Sequence, residues 1–199
     1  MNLQEKISYI IGRDMATNLK KQGITIEADP FVTGLKEVLA GKPSTLSQEE
    51  VQQAMMALQQ EMTQKQSAVA DVNKKAGEAF LAENKNKEGV HTLPSGLQYE
   101  VIQEGSGKSP SASDTVTTHY HGTLIDGTVF DSSYARNQPA TFPVNGVIAG
   151  WTEALQKMKE GAKWRLYVPA SLAYGAQGAG DVIGPNSTLI FDVELISVK

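Results

Sequence analysis

Cysteine is absent from all 199 residues of this chain. Disulfides, thiolate catalysis and cysteine-held metals are thereby excluded, while the redox compartment stays open. A surplus of positive charge is absent too: 18 Lys and Arg stand against 22 Asp and Glu, for a net charge of -4. Nucleic-acid binding needs a basic stripe to displace condensed counterions, so no such partner is expected. No apolar run approaches the ~20 residues of a membrane-spanning helix. Nor is there the basic face of a helix that lies on a membrane. The start, Met1 to Lys6, lacks the long apolar stretch of a secretory signal. The chain is either cytosolic and complete as written, or a mature form written with an added Met.

The composition, 40% hydrophobic and 20% charged, is that of a globular protein. Its first ninety residues read as helices. Leu3, Ile7, Ile10, Ile11, Met15 and Leu19 recur at helical spacing, with Gly23 as the stop. Asp29 reads as an N-cap with Pro30 at the first helical position, followed by an apolar stripe of Phe31, Val32, Leu35, Val38 and Leu39 up to Gly41. Ser47 and Glu50 form a capping box. From there Val51, Met55, Leu58, Met62, Lys65, Val69, Val72, Ala76 and Ala79 keep a 4-3-4-3 spacing, with no proline before Pro94. This predicts one long helix from Ser47 to about Asn86, roughly 60 Å at ~1.5 Å per residue. A break into two helices near Gly77 is the alternative. The first half of its seam is hydrophobic. The second half has small apolar positions among Lys65, Asp71, Lys74 and Lys75, and is expected to be a solvent-exposed stalk.

Two short helices and half of a third make a thin core for one chain. A second copy paired about a two-fold axis would supply the missing partner surface. Met1, Met15, Met55, Met56 and Met62, five of the six methionines, lie in this segment. Their flexible thioethers suit an adaptable interface, although Met55 and Met62 also fit an ordinary core.

After the turn from Thr92 to Gly96 the period changes to two. Leu97, Tyr99 and Val101 alternate with Gln98, Glu100 and Ile102, and Val116 to Leu124 is a second strand. Asp126-Gly127 is a hairpin signal. Trp151 to Lys159 is the clear helix of this half, closed by Gly161. Trp164 to Val168 and Leu189 to Val198 complete the sheet. The predicted fold class is α+β: an all-helical domain at 1–46, a long connecting helix at 47–91, and at 92–199 an antiparallel β half-barrel wrapped around one short helix.

The chemistry is concentrated in three stretches, Gly127 to Ser133, Val147 to Trp151 and Ala173 to Gly175. They bring together aromatics, one carboxylate, an indole and a phenol, with no nucleophile beside a base. Such parts suit a dry pocket for an apolar group and a single amide, and not bond cleavage. In order and spacing this pattern resembles the FKBP-type peptidyl-prolyl isomerases over about Thr92 to Lys199. The whole chain resembles their two-domain bacterial branch, the macrophage infectivity potentiator (Mip)-like proteins. In the helical half that likeness rests on layout and on the stretch Gly77 to Lys87.

The resemblance implies an isomerase of X-Pro bonds. It assigns Trp151 to the pocket floor under the proline ring. Tyr120, Phe130, Phe142, Val147, Ile148, Ile183 and Phe191 become the apolar wall, with Val182 beside them. Tyr174 becomes the phenol that donates to the bound carbonyl, and the Ile148 N–H a second donor. Asp131 becomes the carboxylate at the pocket edge, with Arg136 as its expected partner and Tyr120 within reach. A half-buried carboxylate is costly unless paired, which gives that partnership a physical motive. Taken singly, Phe142 and Phe191 would read as strand core, and Asp131 with Arg136 as an incidental surface pair. Departures from the family pattern are Ala140 for an aromatic, Ala179 for a histidine and Gly146 for a charged residue. They leave affinity for macrolides of the FK506/rapamycin type more open than catalysis.

The resemblance further implies a homodimer through the N-terminal helices, with the long helices holding the catalytic domains apart. Proline-containing unfolded or partly folded polypeptides would be the substrates and chaperone clients, and periplasm or cell envelope the place of a mature form. Removing residues 1–90 would then leave tetrapeptide turnover nearly intact. A non-catalytic proline-segment binding module or holdase is the competing class. No cofactor is implied. His119 and His121 are an i, i+2 pair without a third ligand, so no metal site is expected. Ser132-Ser133 has no spaced His/Asp partner and reads as turn chemistry. The glycine-rich run Gly175 to Gly180 lacks the strand and helix of a phosphate loop.

Overall fold

Asn2 opens the first helix, α1 (Leu3–Lys21), through a capping box: its side chain accepts from the Glu5 N–H at 2.9 Å, and the Glu5 carboxylate accepts from the Asn2 N–H at 2.7 Å. Lys20 and Lys21 lie in the last turn, where cations favour the helix dipole. Helix α2 (Ala28–Leu39) begins earlier than its sequence suggests. Glu27, not Asp29, is the N-cap, and Pro30 falls at the third helical position. Proline is tolerated there because that N–H has no intrahelical acceptor. Helix α3 (Gln48–Asn84) runs unbroken for 37 residues from the Ser47–Glu50 capping box.

This computed structural model describes residues 1–199, which divide into two compact units, Met1–Ser67 and Ala68–Lys199. Within the first unit no residue of α1 or α2 is buried. Ile7, Ile10, Ile11, Met15, Leu35, Val38, Leu39, Val51 and Met55 all expose large apolar surface.

The second unit is built on an antiparallel sheet of seven strands: β1 (Val90–Thr92), β2 (Gln98–Gln103), β3 (Thr115–Leu124), β4 (Val129–Ser132), β5 (Ala140–Pro143), β6 (Lys163–Val168) and β7 (Leu189–Val198). Their order is β1-β2-β6-β7-β3-β4, and β5 pairs the first half of β3 while β4 pairs its second half. Short β1, β4 and β5 carry too few residues for a clear alternation, so periodicity alone does not find them. On β7 the alternation is regular: Leu189, Phe191, Val193 and Leu195 are buried, and the residues between them less so. Helix α4 (Ala149–Leu155) packs on the sheet. Its Trp151, Ala154 and Leu155 join Val116, Val144, Leu166 and Val193 in one core. It stops at Leu155, earlier than the expected Lys159, although Met158 remains fully buried beyond it.

The expectation of a free stalk from the second half of α3 is corrected. Residues of α3 from Ala70 to Asn84 lie against the sheet unit. Asn73 Nδ2 donates to the Pro185 carbonyl at 2.9 Å, and Asn186 Nδ2 donates to the Ala70 carbonyl at 3.4 Å. A Cβ on Gly77 would stand 2.3 Å from Thr188 Oγ1. Phe80 packs on Tyr167 with ring centroids 5.9 Å apart. Buried Asn84 donates to Gln98 Oε1 at 3.0 Å, and Gln98 Nε2 donates to the Leu81 carbonyl at 2.9 Å. Positions 70, 73, 77, 80, 81 and 84 are one helix face. It is offset from the expected seam, whose Val69 and Val72 stay exposed. Apart from Phe80 and Leu81 at its C-terminal end, the docking face is made of small or polar residues, and apolar periodicity does not register such a face. The second half of α3 accordingly belongs to the compact unit Ala68–Lys199.

Candidate active site

Helix α4 sets the floor. Gly150 lets it lie close to β6, since a Cβ there would stand 2.6 Å from Val168 Cγ1. Thr152 Oγ1 donates to the Val144 carbonyl at 2.8 Å and ties the helix to the preceding 3-10 turn. Trp151 is thereby fixed with its indole 4% exposed. Three rings meet it edge-on: Tyr120 at 5.4 Å, Phe191 at 5.3 Å and Phe142 at 6.0 Å between centroids, with interplanar angles of 80° to 88°. Edge-to-face packing of this kind favours aromatic pairs beyond their buried area. Phe130 meets Phe191 edge-on at 5.3 Å. The indole N–H is buried without a protein partner.

Above the floor is a cavity of about 670 Å³. Eleven of the twelve expected residues line it: Tyr120, Phe130, Asp131, Phe142, Val147, Ile148, Trp151, Tyr174, Val182, Ile183 and Phe191. Arg136 does not line it but binds two residues that do. Its guanidinium donates to Asp131 Oδ1 and, at 2.9 Å, to the Tyr120 hydroxyl, which itself donates to Asp131 Oδ2. The triangle closes at the cavity edge.

These bonds set the ionisation of the edge. For Asp131, burial is the largest single influence and opposes charge. The hydrogen bonds from Tyr120 and Arg136 together with the Arg136 charge outweigh it, holding the carboxyl below its ordinary range. Burial pushes the Tyr120 phenol up, and its bond to Asp131 adds to that. The edge is therefore an anionic carboxylate and a neutral phenol at neutral pH.

Tyr174 stands at the mouth, 41% exposed. Opposite, Ala179 and Ile183 exchange backbone hydrogen bonds (2.8 and 3.2 Å) and close a short loop whose Gly180, Asp181 and Val182 form the rim. Gly146 and Ala179, named above as departures from the family pattern, also line the cavity, as do Gly180 and Asp181, which the resemblance did not assign. Ala140 packs against the core and is not among them. Gly122 was also missed. A Cβ on it would stand 2.5 Å from Phe130 and 3.0 Å from Phe191, so the wall can form only over glycine. Its one signal in the sequence is a glycine inside a strand pattern. His119 is occupied structurally: its Nδ1 lies 2.9 Å from Ser133 Oγ and its ring stacks on Tyr134. Ser133 Oγ accepts from the Tyr120 N–H at 2.7 Å, which makes it part of the scaffold under the wall.

An antiparallel half-barrel that closes on one helix, with an indole floor, an aromatic wall and no nucleophile, defines a domain of the FKBP isomerase type. Comparison with known proteins agrees. Residues 4–101 match the family model for the domain amino terminal to FKBP-type peptidyl-prolyl isomerase, and residues 106–196 match that for FKBP-type peptidyl-prolyl cis-trans isomerase. The outer membrane protein MIP of Legionella longbeachae is 49% identical over 98% of this chain and 86% of its own length. The peptidyl-prolyl cis-trans isomerase Mip of Coxiella burnetii is 50% identical over 98% and 87%. The crystal structure of FkpA from Escherichia coli superposes with a TM-score of 0.73 at 40% identity, covering 100% of this chain and 97% of that one. The chain belongs to the FKBP-type peptidyl-prolyl cis-trans isomerase family, in its Mip-like and FkpA-like branch, and is a peptidyl-prolyl cis-trans isomerase.

Proposed function

We propose that this protein accelerates rotation about X-Pro bonds of folding polypeptides by binding the twisted amide in the cavity above Trp151. Resonance gives the planar amide a barrier of ~18–20 kcal/mol, and unaided isomerisation takes ~10–100 s. Twisting removes that resonance, so the transition state is less polar than either planar form. An apolar site binds it in preference, with no proton transfer required. The observation that carries this reading is the buried indole at the base of an open cavity, walled by three edge-on rings.

Within that reading Trp151 bears the proline ring, and Phe130, Phe142, Val147, Ile183, Phe191 and Val182 exclude water around it. The Tyr174 hydroxyl and the N–H of Ile148, the N-cap of α4, are the donors for the substrate carbonyl. Asp131 faces the twisting amide from the edge, held by Tyr120 and Arg136. Macrolides of the FK506/rapamycin type are candidate competitors for the same cavity. A protease-coupled tetrapeptide assay tests the assignment. Tyr174→Phe removes a donor and is expected to lower kcat/KM by about five-fold. Asp131→Leu strands Tyr120 and Arg136, and should lower it by roughly ten-fold or more. Wild-type turnover in both variants would remove these residues from the site.

We further propose that the chain acts as a homodimer through residues 1–67, binding partly folded polypeptide and raising its local concentration at the proline site. The support is the large apolar surface left exposed along α1, α2 and the start of α3. A place in the periplasm or cell envelope fits the relative named as an outer membrane protein.

A further inference from the structure

The loop that carries the rim of the cavity is rich in residues with little side chain of their own. Gly178, Ala179, Gly180 and Gly184 bring no side chain beyond a methyl group, and Gly178 and Gly180 sit at φ +67° and +57°. Segments of this kind lose much conformational freedom when ordered, and something else must offset it. The loop does form a backbone bridge between Ala179 and Ile183, yet that bridge only closes the tip on itself. Ile183 is buried in the core and Ala179 packs against it, so the two ends of the bridge are seated from the cavity side.

A second set of contacts holds the loop from behind. Residues 179–183 face the cavity, while the residues that follow, 184–188, meet α3. Asn73 Nδ2 donates to the Pro185 carbonyl at 2.9 Å and lies 3.4 Å from Ser187 Oγ. Ser187 Oγ in turn donates to the Gly184 carbonyl at 2.8 Å, so one amide group holds the single turn from Gly184 to Ser187. The loop answers through Asn186, which reaches the Ala70 carbonyl with its side chain and the Gly175 carbonyl with its N–H at 2.8 Å. Gly184 fits closely: a Cβ there would stand 3.0 Å from Asn73 Nδ2. Pro185 has no N–H of its own, so its carbonyl is the polar group its backbone offers.

We propose that Asn73 of α3 is a positioning residue for the isomerase cavity, clamping the rim loop from behind through the Pro185 carbonyl and Ser187. It touches no substrate and acts only through the loop. A helix outside the half-barrel thereby supports the loop that carries part of the cavity wall. This rests on the site reading given above.

The test uses the full chain with Asn73→Ala, Asn73→Asp and Ser187→Ala. Asn73→Asp keeps the shape and removes the donor. Asn73→Ala also raises helix propensity, so loss of α3 does not explain its effect. Tetrapeptide kinetics and amide hydrogen exchange are read together. Exchange at Ala179 and Ile183 should quicken about five-fold in both Asn73 variants, the factor one ordinary hydrogen bond carries. KM should rise by a similar factor with kcat within two-fold, because the loop contributes wall and not donors. Ser187→Ala should show a smaller effect of the same kind. Unchanged rim exchange and KM in the Asn73 variants would overturn the clamp. So would equal acceleration of exchange across β3 and β7, which marks a general loss of stability. Asp131→Leu in the same assay separates the two readings: if it retains wild-type kcat/KM, the site assignment fails, whatever the Asn73 variants do.

Discussion

Asp131 is held by two donors of different strength, and its response to pH follows from that. A carboxyl whose pKa is lower in the folded chain than in the unfolded one stabilises the fold wherever it is charged. That contribution is complete above the unfolded value of about 4 and is lost as pH falls through the lower folded value. The side chain is 41% exposed, so solvent screening limits the contribution to about 1 kcal/mol. Asp131→Asn keeps the shape without the charge. The gap in thermal midpoint between wild type and Asp131→Asn should be constant from about pH 8 to pH 5 and shrink below about pH 4. A gap unchanged down to about pH 2 would show that the charge contributes nothing to folding. Asp131 with Arg136 was legible in the sequence because the spacing matched a known family. Gly122, on which the wall equally depends, was not: its role is the space it leaves for Phe130 and Phe191, and a missing side chain carries no chemical type to recognise.

Helix α3 shows the same contrast between pattern and contact. Its capping box, its length and its continuity past Gly77 could all be read from residue types. Its docking face could not, because Ala70, Asn73, Gly77 and Asn84 carry little hydrophobicity, and their partners lie more than a hundred residues away in the case of Asn73 and Ala70. The alternative of a break at Gly77 treated that residue as a weakness in the helix. In the fold it is the point of closest approach, with Thr188 Oγ1 2.3 Å from where a Cβ would be. Two opposed effects therefore decide the outcome of Gly77→Ala. Helix propensity improves by about 1 kcal/mol, whereas forcing a methyl against a backbone-anchored threonine costs typically 1–3 kcal/mol. The clash should win, lowering the thermal midpoint. Thr188→Ala in the same chain removes the nearest atom and should restore most of the loss. If Gly77→Ala proves stabilising, α3 is not seated on the sheet at this point.

Over the molecule as a whole, the two units differ in what each can supply for itself. Ala68–Lys199 has a continuous core around α4 and β7. Met1–Ser67 leaves Ile10, Ile11, Leu35 and Met55 between 45% and 59% exposed and buries no residue of α1 or α2. Apolar area left in water costs about 25 cal/mol per Å², and helices of 19 and 12 residues are marginal without a packed face. A second copy laid on the same face supplies that packing, and a two-fold arrangement lets each chain serve the other. Ile11→Glu puts a charge into the proposed interface without touching the isomerase cavity. Sedimentation at micromolar concentration should give a dimer for wild type and a monomer for the variant. Tetrapeptide turnover should stay within two-fold, while refolding of a proline-limited protein slows several-fold, since only the longer substrate gains from a second binding surface. The seat of α3 also moves the cut that would separate these activities. A chain beginning at residue 68 keeps Asn73 and Gly77 against the rim loop, whereas one beginning at residue 91 loses both. The first should retain wild-type KM for tetrapeptide, and the second should show it raised. Equal KM in the two would mean that α3 does not support the rim loop, and a monomeric wild type would mean that the helical segment has another use than holding two isomerase domains together.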